Sequence, residues 1–332
     1  MISIPFSQDI YFSFKRMILL LYIIISIIMI FSTYDKKSIY FNIYIGSIAG
    51  SFIFYIFNIL LVMYWLDLIN VNFHLINLEP DTLSYFIPRL GGFSEDVNRG
   101  GFVLIFFTYC LMIYKRKVQL NWILILLNIF FIVCTLSRTS ILFFTITSFI
   151  YFSYYITKKY KKIYFLNLLI VFSVFSFSIN YFSNLNIIDF SSAIEERLSI
   201  DDRGHDSSSS IHFKLIRDAI NTIGSSAKIF LIGNGHGTSY KTIDGYRMSG
   251  TKDANYHSQY LSIFVENGFF AFLSFLCLTF IYPIYKNRSI FYPLVIGVFI
   301  FNIFYQLINE PAYWFLIFLF YYSIFTKYNL NK

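Results

Sequence analysis

Residues 120–157 read LNWILILLNIFFIVCTLSRTSILFFTITSFIYFSYYIT, an apolar run whose only charge, Arg138, stands at its midpoint. As one helix, these 38 residues would be about 57 Å long, nearly twice the roughly 30 Å of a bilayer's hydrocarbon core. The run is therefore expected to fold back as two membrane spans with a hairpin turn at 137–140. Basic clusters flank both of its ends, at Lys115 to Lys117 and at Lys158 to Lys162. Positive charge marks cytoplasmic loops, so the turn and Arg138 are expected on the opposite side.

Working outward, apolar runs of spanning or near-spanning length recur at 17–33, 39–66, 101–114, 163–182, 258–285, 290–308 and 312–326. The fold expected is an all-α, polytopic transmembrane helix bundle of about nine spans, with a large external (periplasmic) loop. Its parts are N-terminal helices over 1–182, the loop over 183–256 and C-terminal helices over 257–332. Counting forward places Lys286, Arg288 and Lys327 inside, in agreement with the charge rule. Counting backward makes residues 67–100 an external loop and places Lys36 and Lys37 inside. It also places the N-terminus outside with Lys15 and Arg16, against the rule. Either the first run does not fully cross, or 39–66 hides a re-entrant pair.

Composition agrees with a lipid-solvated chain. Of 332 residues, 57% are hydrophobic and 13% charged, too few charges to cover a soluble domain of this size. The net charge of +8 resides in short clusters between apolar runs, not in a basic stripe with exposed aromatics, which excludes nucleic-acid binding as the function. Cys110, Cys134 and Cys277 all fall inside apolar runs, without the spacing of a disulfide or zinc framework. Residues 17–33 lack a small-residue cleavage site and read as a retained span.

The external stretch 183–256 is dense in charge of both signs. Within it Ile211, Leu215, Ile216, Ala219, Ile220 and Ile223 recur at spacings of three and four, the pattern of an amphipathic helix with one apolar face, preceded by a serine run able to cap it. GNGHG, with Gly233 and Gly235, follows as a turn-rich segment. No Lys-Ser/Thr follows it and no strand precedes it, so it is no nucleotide cradle.

Several residues are candidates for chemistry. Arg138 reads either as a turn residue snorkelling to lipid phosphates or as an anion-binding group. His257 stands at the external end of an apolar helix, wet enough to titrate near neutrality, although a histidine there also serves to satisfy backbone groups. Glu266 lies nine residues on, about 900° of rotation and 13.5 Å of rise away, so it faces away from His257 and is expected to pair inside the bundle. Arg197, Arg203, His212, Lys214 and Arg217 gather around the amphipathic helix. They read either as a solvated face balanced by acidic neighbours or as a grip on diphosphate oxygens.

Three segments in order, SRTS (137–140), LIGNGHG (231–237) and HSQYLSIFVENGFFAFLSFL (257–276), resemble the bacterial O-antigen polymerase and O-antigen ligase superfamily. Leu261, Glu266 and Gly268 match the family's spacing after its histidine, while Ser258 replaces the usual Asn. RLGGFSEDVNRGG (89–101) resembles another of its segments, with Asn98 in place. The resemblance implies that His257 is the catalytic histidine and that Arg138 is the arginine at the span end. It aligns a second, loop arginine with His212, near Lys214 and Arg217, and brings Arg89 into the candidate site.

The implied activity is glycosyl transfer from an undecaprenyl-diphosphate-linked oligosaccharide, with no metal or nucleotide cofactor. The expected setting is the bacterial inner membrane, among membrane lipids, with the site facing the periplasm and a chain-length regulator protein as a possible partner. Three readings stand: a repeat-unit polymerase, favoured by the short chain and degenerate motif; a ligase moving finished chains onto lipid A core; and, from another class, a transporter or flippase. Charges nearly vanish from the middle of the spans and gather at one mouth, against the last.

Overall fold

The computed structural model describes residues 3–69, 88–94, 96–114, 118–159, 208–243, 254–286 and 289–325, with backbone only at 36, 118–120, 154–159 and 208–213. All regular structure among them is helical. Among the described residues three helices are long and apolar enough to cross a membrane: Ile10–Thr33, Lys37–Trp65 and Gln259–Tyr285. Shorter apolar helices cover Val97–Ile113, Asn121–Cys134, Tyr292–Phe304 and Pro311–Phe325. The expected span at 163–182, most of the loop at 67–100 and the loop's first part up to 207 lie outside the described residues.

The chain divides into two compact units, 37–199 with the last three residues, and 1–36 with 200–329. In the first unit, α2 (Lys36–Trp65), α3 (Val97–Ile113), α4 (Val118–Cys134) and α5 (Arg138–Lys159) pack together. The apolar run at 120–157 is two helices, but they join at residues 135–137 and not at the expected 137–140, because Arg138, Thr139 and Ser140 form the first turn of α5. Hydrophobic burial gives helices in lipid no reason to associate, so small residues and buried hydrogen bonds hold them. Tyr44 donates to Asn121 Oδ1 at 2.8 Å, and Asn128 donates to Ser51 Oγ at 3.2 Å.

In the second unit, α1 (Ile10–Thr33), α8 (Gln259–Leu276), α9 (Tyr292–Phe304) and α10 (Pro311–Phe325) form the apolar part. α8 continues through a π-helical stretch, Cys277–Ile281, into Tyr282–Tyr285. Contacts fix their directions. Gln259 N–H at the start of α8 donates to the Tyr305 carbonyl at the end of α9, while Ser289 and Ser323 meet at the other end. Phe31, late in α1, packs on Phe315 and Tyr322 of α10.

On the starts of α1 and α8 sits a small module of α6 (Ser208–Gly224), α7 (Ala227–Ile232), the turn Ser239–Lys241 and residues 254–257. Its core is Phe12, Leu215, Ala219, Tyr240, Ile243, Ala254, Tyr256 and Val265. Two features of α6 differ from expectation. Ser208 to Ser210 form its first turn instead of preceding it. Ile216 and Ile220, placed by periodicity on the core face, are 39% and 59% exposed. The apolar arc is wider than the single contact through Leu215 and Ala219 can cover.

Candidate functional site

In the first unit the segments 89–101 and 135–140 interlock. Asp96 caps α3 by accepting from Asn98 N and Arg99 N. That fixes Asn98, whose side-chain oxygen accepts from Ser137 Oγ at 2.5 Å. Gly101 lets Ser140 approach where any Cβ would collide. Leu136 takes a left-handed backbone (φ 50°) to end α4, and the freed Thr135 carbonyl accepts from Arg89 Nε at 3.2 Å. Arg89 and Arg138, both half-buried, thus issue from one braced junction.

In the second unit α7 and α8 cross at two glycines. Gly233 caps α7 at φ 87°, ψ −179°, and Gly268 kinks α8 at φ 77°, ψ −179°. Non-glycine residues all but avoid this backbone region. A Cβ on Gly233 would lie 2.3 Å from the Glu266 carbonyl oxygen, and one on Gly268 would lie 2.4 Å from that of Leu231. The close approach allows Asn234 N–H to donate to Val265 O at 2.8 Å and Gly235 N–H to Glu266 O at 2.9 Å.

Beside this crossing the Glu266 side chain, 3% exposed, accepts from Gly237 N at 2.8 Å and from Ser239 Oγ at 2.5 Å. His236 Nδ1 lies 3.6 Å from Oε2, the oxygen that accepts from Gly237 N–H. Burial pushes the His236 imidazole below its ordinary 6.5; the Glu266 side chain opposes this shift and Arg16 adds to it. A histidine depressed in the folded state takes up a proton more readily when unfolded. Its contribution to stability is complete above about pH 6.5 and declines as pH falls below that value. We expect the thermal midpoint of the detergent-purified protein to fall between pH 7.5 and 5.5, and His236→Asn to flatten that slope.

The amino-terminal segment straps this loop. Gln8 N–H donates to Asn234 O, Ser3 Oγ to Asn267 Oδ1, and Lys228 Nζ to Phe6 O. Asp9 caps α1 through Phe12 N and accepts from the Tyr240 hydroxyl at 2.6 Å. Burial and the Asp9 side chain push that phenol up to about 12. Tyr240→Phe should cost about 1 to 2 kcal/mol, read from the thermal midpoint, because it leaves the carboxyl group without this donor.

His257 precedes α8 in a left-handed conformation, φ 48°, that brings it out of helical register. Asn255 enforces the turn by accepting from His257 N–H through Oδ1 at 2.9 Å. The half-buried imidazole meets the Tyr305 ring edge-on at 6.1 Å. Just beyond it, Gln259 Oε1 accepts from Leu307 N and Ile308 N at 2.7 and 2.8 Å, pinning the start of α8 to the α9–α10 connection. The Ser258 side chain, buried, does not cap the helix.

The model of the O-antigen ligase family matches residues 123–276, from within α4 to the last residue of α8. This stretch, just under half of the chain, carries an O-antigen ligase family domain, which supports the O-antigen polymerase and ligase superfamily. No curated protein and no solved structure matches it. Members of that family are glycosyltransferase-like enzymes, and the match together with three membrane-capable helices among the described residues marks the chain as an integral membrane protein.

The superfamily match includes Arg138, α6, the glycine segment, His257 and Glu266, and leaves Arg89 and the amino-terminal strap outside. The second unit brings Gly233, Gly235, His236 and Glu266 together. Arg89 and Arg138 belong to the first unit and His257 to the second, each described by itself. Lys214 and Arg217 are exposed on α6. Arg197, Arg203 and the His212 side chain lie outside the described residues. Sequence reading missed His236, Asn255, Gln259 and the strap. Only the Asn-x-His spacing carried a local signal, that of an Asx turn.

Proposed function

We propose that this chain is a polymerase joining polyprenyl-diphosphate-linked oligosaccharide repeat units at the outer face of the bacterial inner membrane. His257 serves as the base. It accepts the proton of an acceptor sugar hydroxyl as that oxygen attacks the anomeric carbon of the donor. The bond from that carbon to the diphosphate breaks, and the electron pair leaves on the polyprenyl diphosphate. Arg138 and Arg89, with the basic residues of α6 (His212, Lys214, Arg217) and Arg197, stabilise the charge that grows on its oxygens. A diphosphate is already a competent leaving group, so the step needs no general acid.

The observation carrying this reading is the family match ending on the helix that His257 opens, where an Asx turn and Tyr305 hold the imidazole. The strap contacts bear on the side of the N-terminus in this reading. They put residues 3–9 at the end of the second unit that carries His257, which favours an external N-terminus despite Lys15 and Arg16.

The family description favours a second reading, a ligase that moves finished chains onto lipid A core. Deleting the gene separates the two. A polymerase loss accumulates single-repeat glycolipid, whereas accumulation of long polyprenyl-linked chains would replace our reading with the ligase.

A further inference from the structure

The helix α6 has three sectors, not two. Leu215 and Ala219 are buried in the module core, Ile216 and Ile220 are open, and Lys214, Arg217 and Asn221 are exposed on the side next to them. At 100° per residue the open apolar arc lies between the buried arc and the cationic one. That is the arrangement of a helix lying in a membrane interface, with apolar side chains among acyl chains and cations at the phosphates.

The depth of α6 follows from α8. The apolar helix from Gln259 to Tyr285 has 27 residues. At 1.5 Å per residue it is about 40 Å long, exceeding the hydrocarbon core by about 10 Å, or roughly seven residues. With Lys286 marking the far boundary, the near boundary falls close to Glu266. The projecting turns carry the buried polar residues Gln259 and Ser262, and Val265 there is part of the core that Leu215 and Ala219 of α6 complete.

The adjoining α7 continues toward lipid. Phe230 stacks on Phe269 of α8 at 5.7 Å, and Phe230 and Phe270 are 41% and 64% exposed. α7 thus adds an exposed aromatic face to the part of α8 just past Glu266.

We infer that α6 lies in the headgroup layer of the outer leaflet, with Ile216 and Ile220 inserted into the bilayer and Arg217 and Lys214 on lipid phosphates. The covering partner is an anionic lipid surface. This deepens the proposed function, because a polyprenyl diphosphate carries its phosphates in the same layer. It rests on the membrane embedding of the chain and not on the chemistry of His257.

The test uses the full chain in nanodiscs containing phosphatidylglycerol, with exposed Cys277 changed to serine and a polarity-sensitive fluorophore on Ile220→Cys or, for comparison, on Asn221→Cys. The signal of the unsubstituted background is subtracted. We expect lipids brominated on their acyl chains to quench the probe at 220 roughly threefold more than the probe at 221, with aqueous iodide showing the reverse order. Equal iodide quenching at both positions without lipid quenching would overturn the inference in favour of a solvated face. Protection of position 220 from both quenchers would overturn it in favour of a protein partner. Neither readout involves glycosyl transfer, so failure here is distinct from failure of the polymerase reading.

Discussion

His257→Asn is expected to lower chain extension by about 100- to 10,000-fold, the range that a positioned general base contributes, while leaving the protein in the membrane. Asparagine is the informative replacement because of the backbone. At φ 48°, His257 occupies a region that asparagine enters readily and alanine enters only at a cost of about 1 to 2 kcal/mol. The Asx turn from Asn255, the Gln259 anchor and the start of α8 should all survive, and only the imidazole is lost. His257→Ala would confound loss of the base with strain. The measurement is the polysaccharide ladder in cells lacking the native gene, normalised to membrane-inserted protein. A full-length ladder from His257→Asn would exclude the histidine as base. Arg138→Ala is the companion variant. If Arg138 were only a snorkelling turn residue, its loss would leave the ladder intact.

The second large effect is steric. Gly268→Ala and Gly233→Ala should each destabilise the second unit by about 3 to 5 kcal/mol, enough to deplete the protein from the membrane. Two penalties add at each position. The backbone lies in a region reserved for glycine, and the new Cβ would meet a backbone carbonyl oxygen at 2.3 or 2.4 Å, an atom that cannot rotate away. Gly46→Ala is the internal control. No heavy atom lies within 4 Å of a Cβ there, so its effect should stay within about 1 kcal/mol. Comparable membrane abundance for Gly46→Ala, Gly233→Ala and Gly268→Ala would show that the crossing of α7 and α8 is not built as described.

Periodicity and hydropathy read well where a segment answers only to its own surroundings. The run at 120–157 exceeds one bilayer crossing, and the chain turns at 135–137. The amphipathic helix forms where its spacing indicates, although its apolar arc divides between a protein core and an open face, because pattern alone does not tell which apolar solvent a face meets. Glu266 was legible as a residue needing partners. The partners themselves, Gly237, Ser239 and His236, come from a loop some thirty positions away and carried no signal in the sequence. The strap was less legible still. Its contacts run from residues 3–9 to residues beyond 220, joined by single hydrogen bonds of Ser3, Gln8 and Asp9, residue types common at any helix start. The conflict between the N-terminal charges and the topology count was visible in the sequence; the tie from residues 3–9 to the end of the second unit that carries His257 was not.

What the isolated protein does to a lipid-linked sugar is the most direct test of its chemistry. Purified chain in proteoliposomes, given a polyprenyl-diphosphate-linked repeat unit, should yield products of two and more units together with free polyprenyl diphosphate by mass spectrometry, and the His257→Asn protein should yield neither. Substrate that crosses between leaflets with its length unchanged, or equal elongation by the His257→Asn protein, would contradict the account.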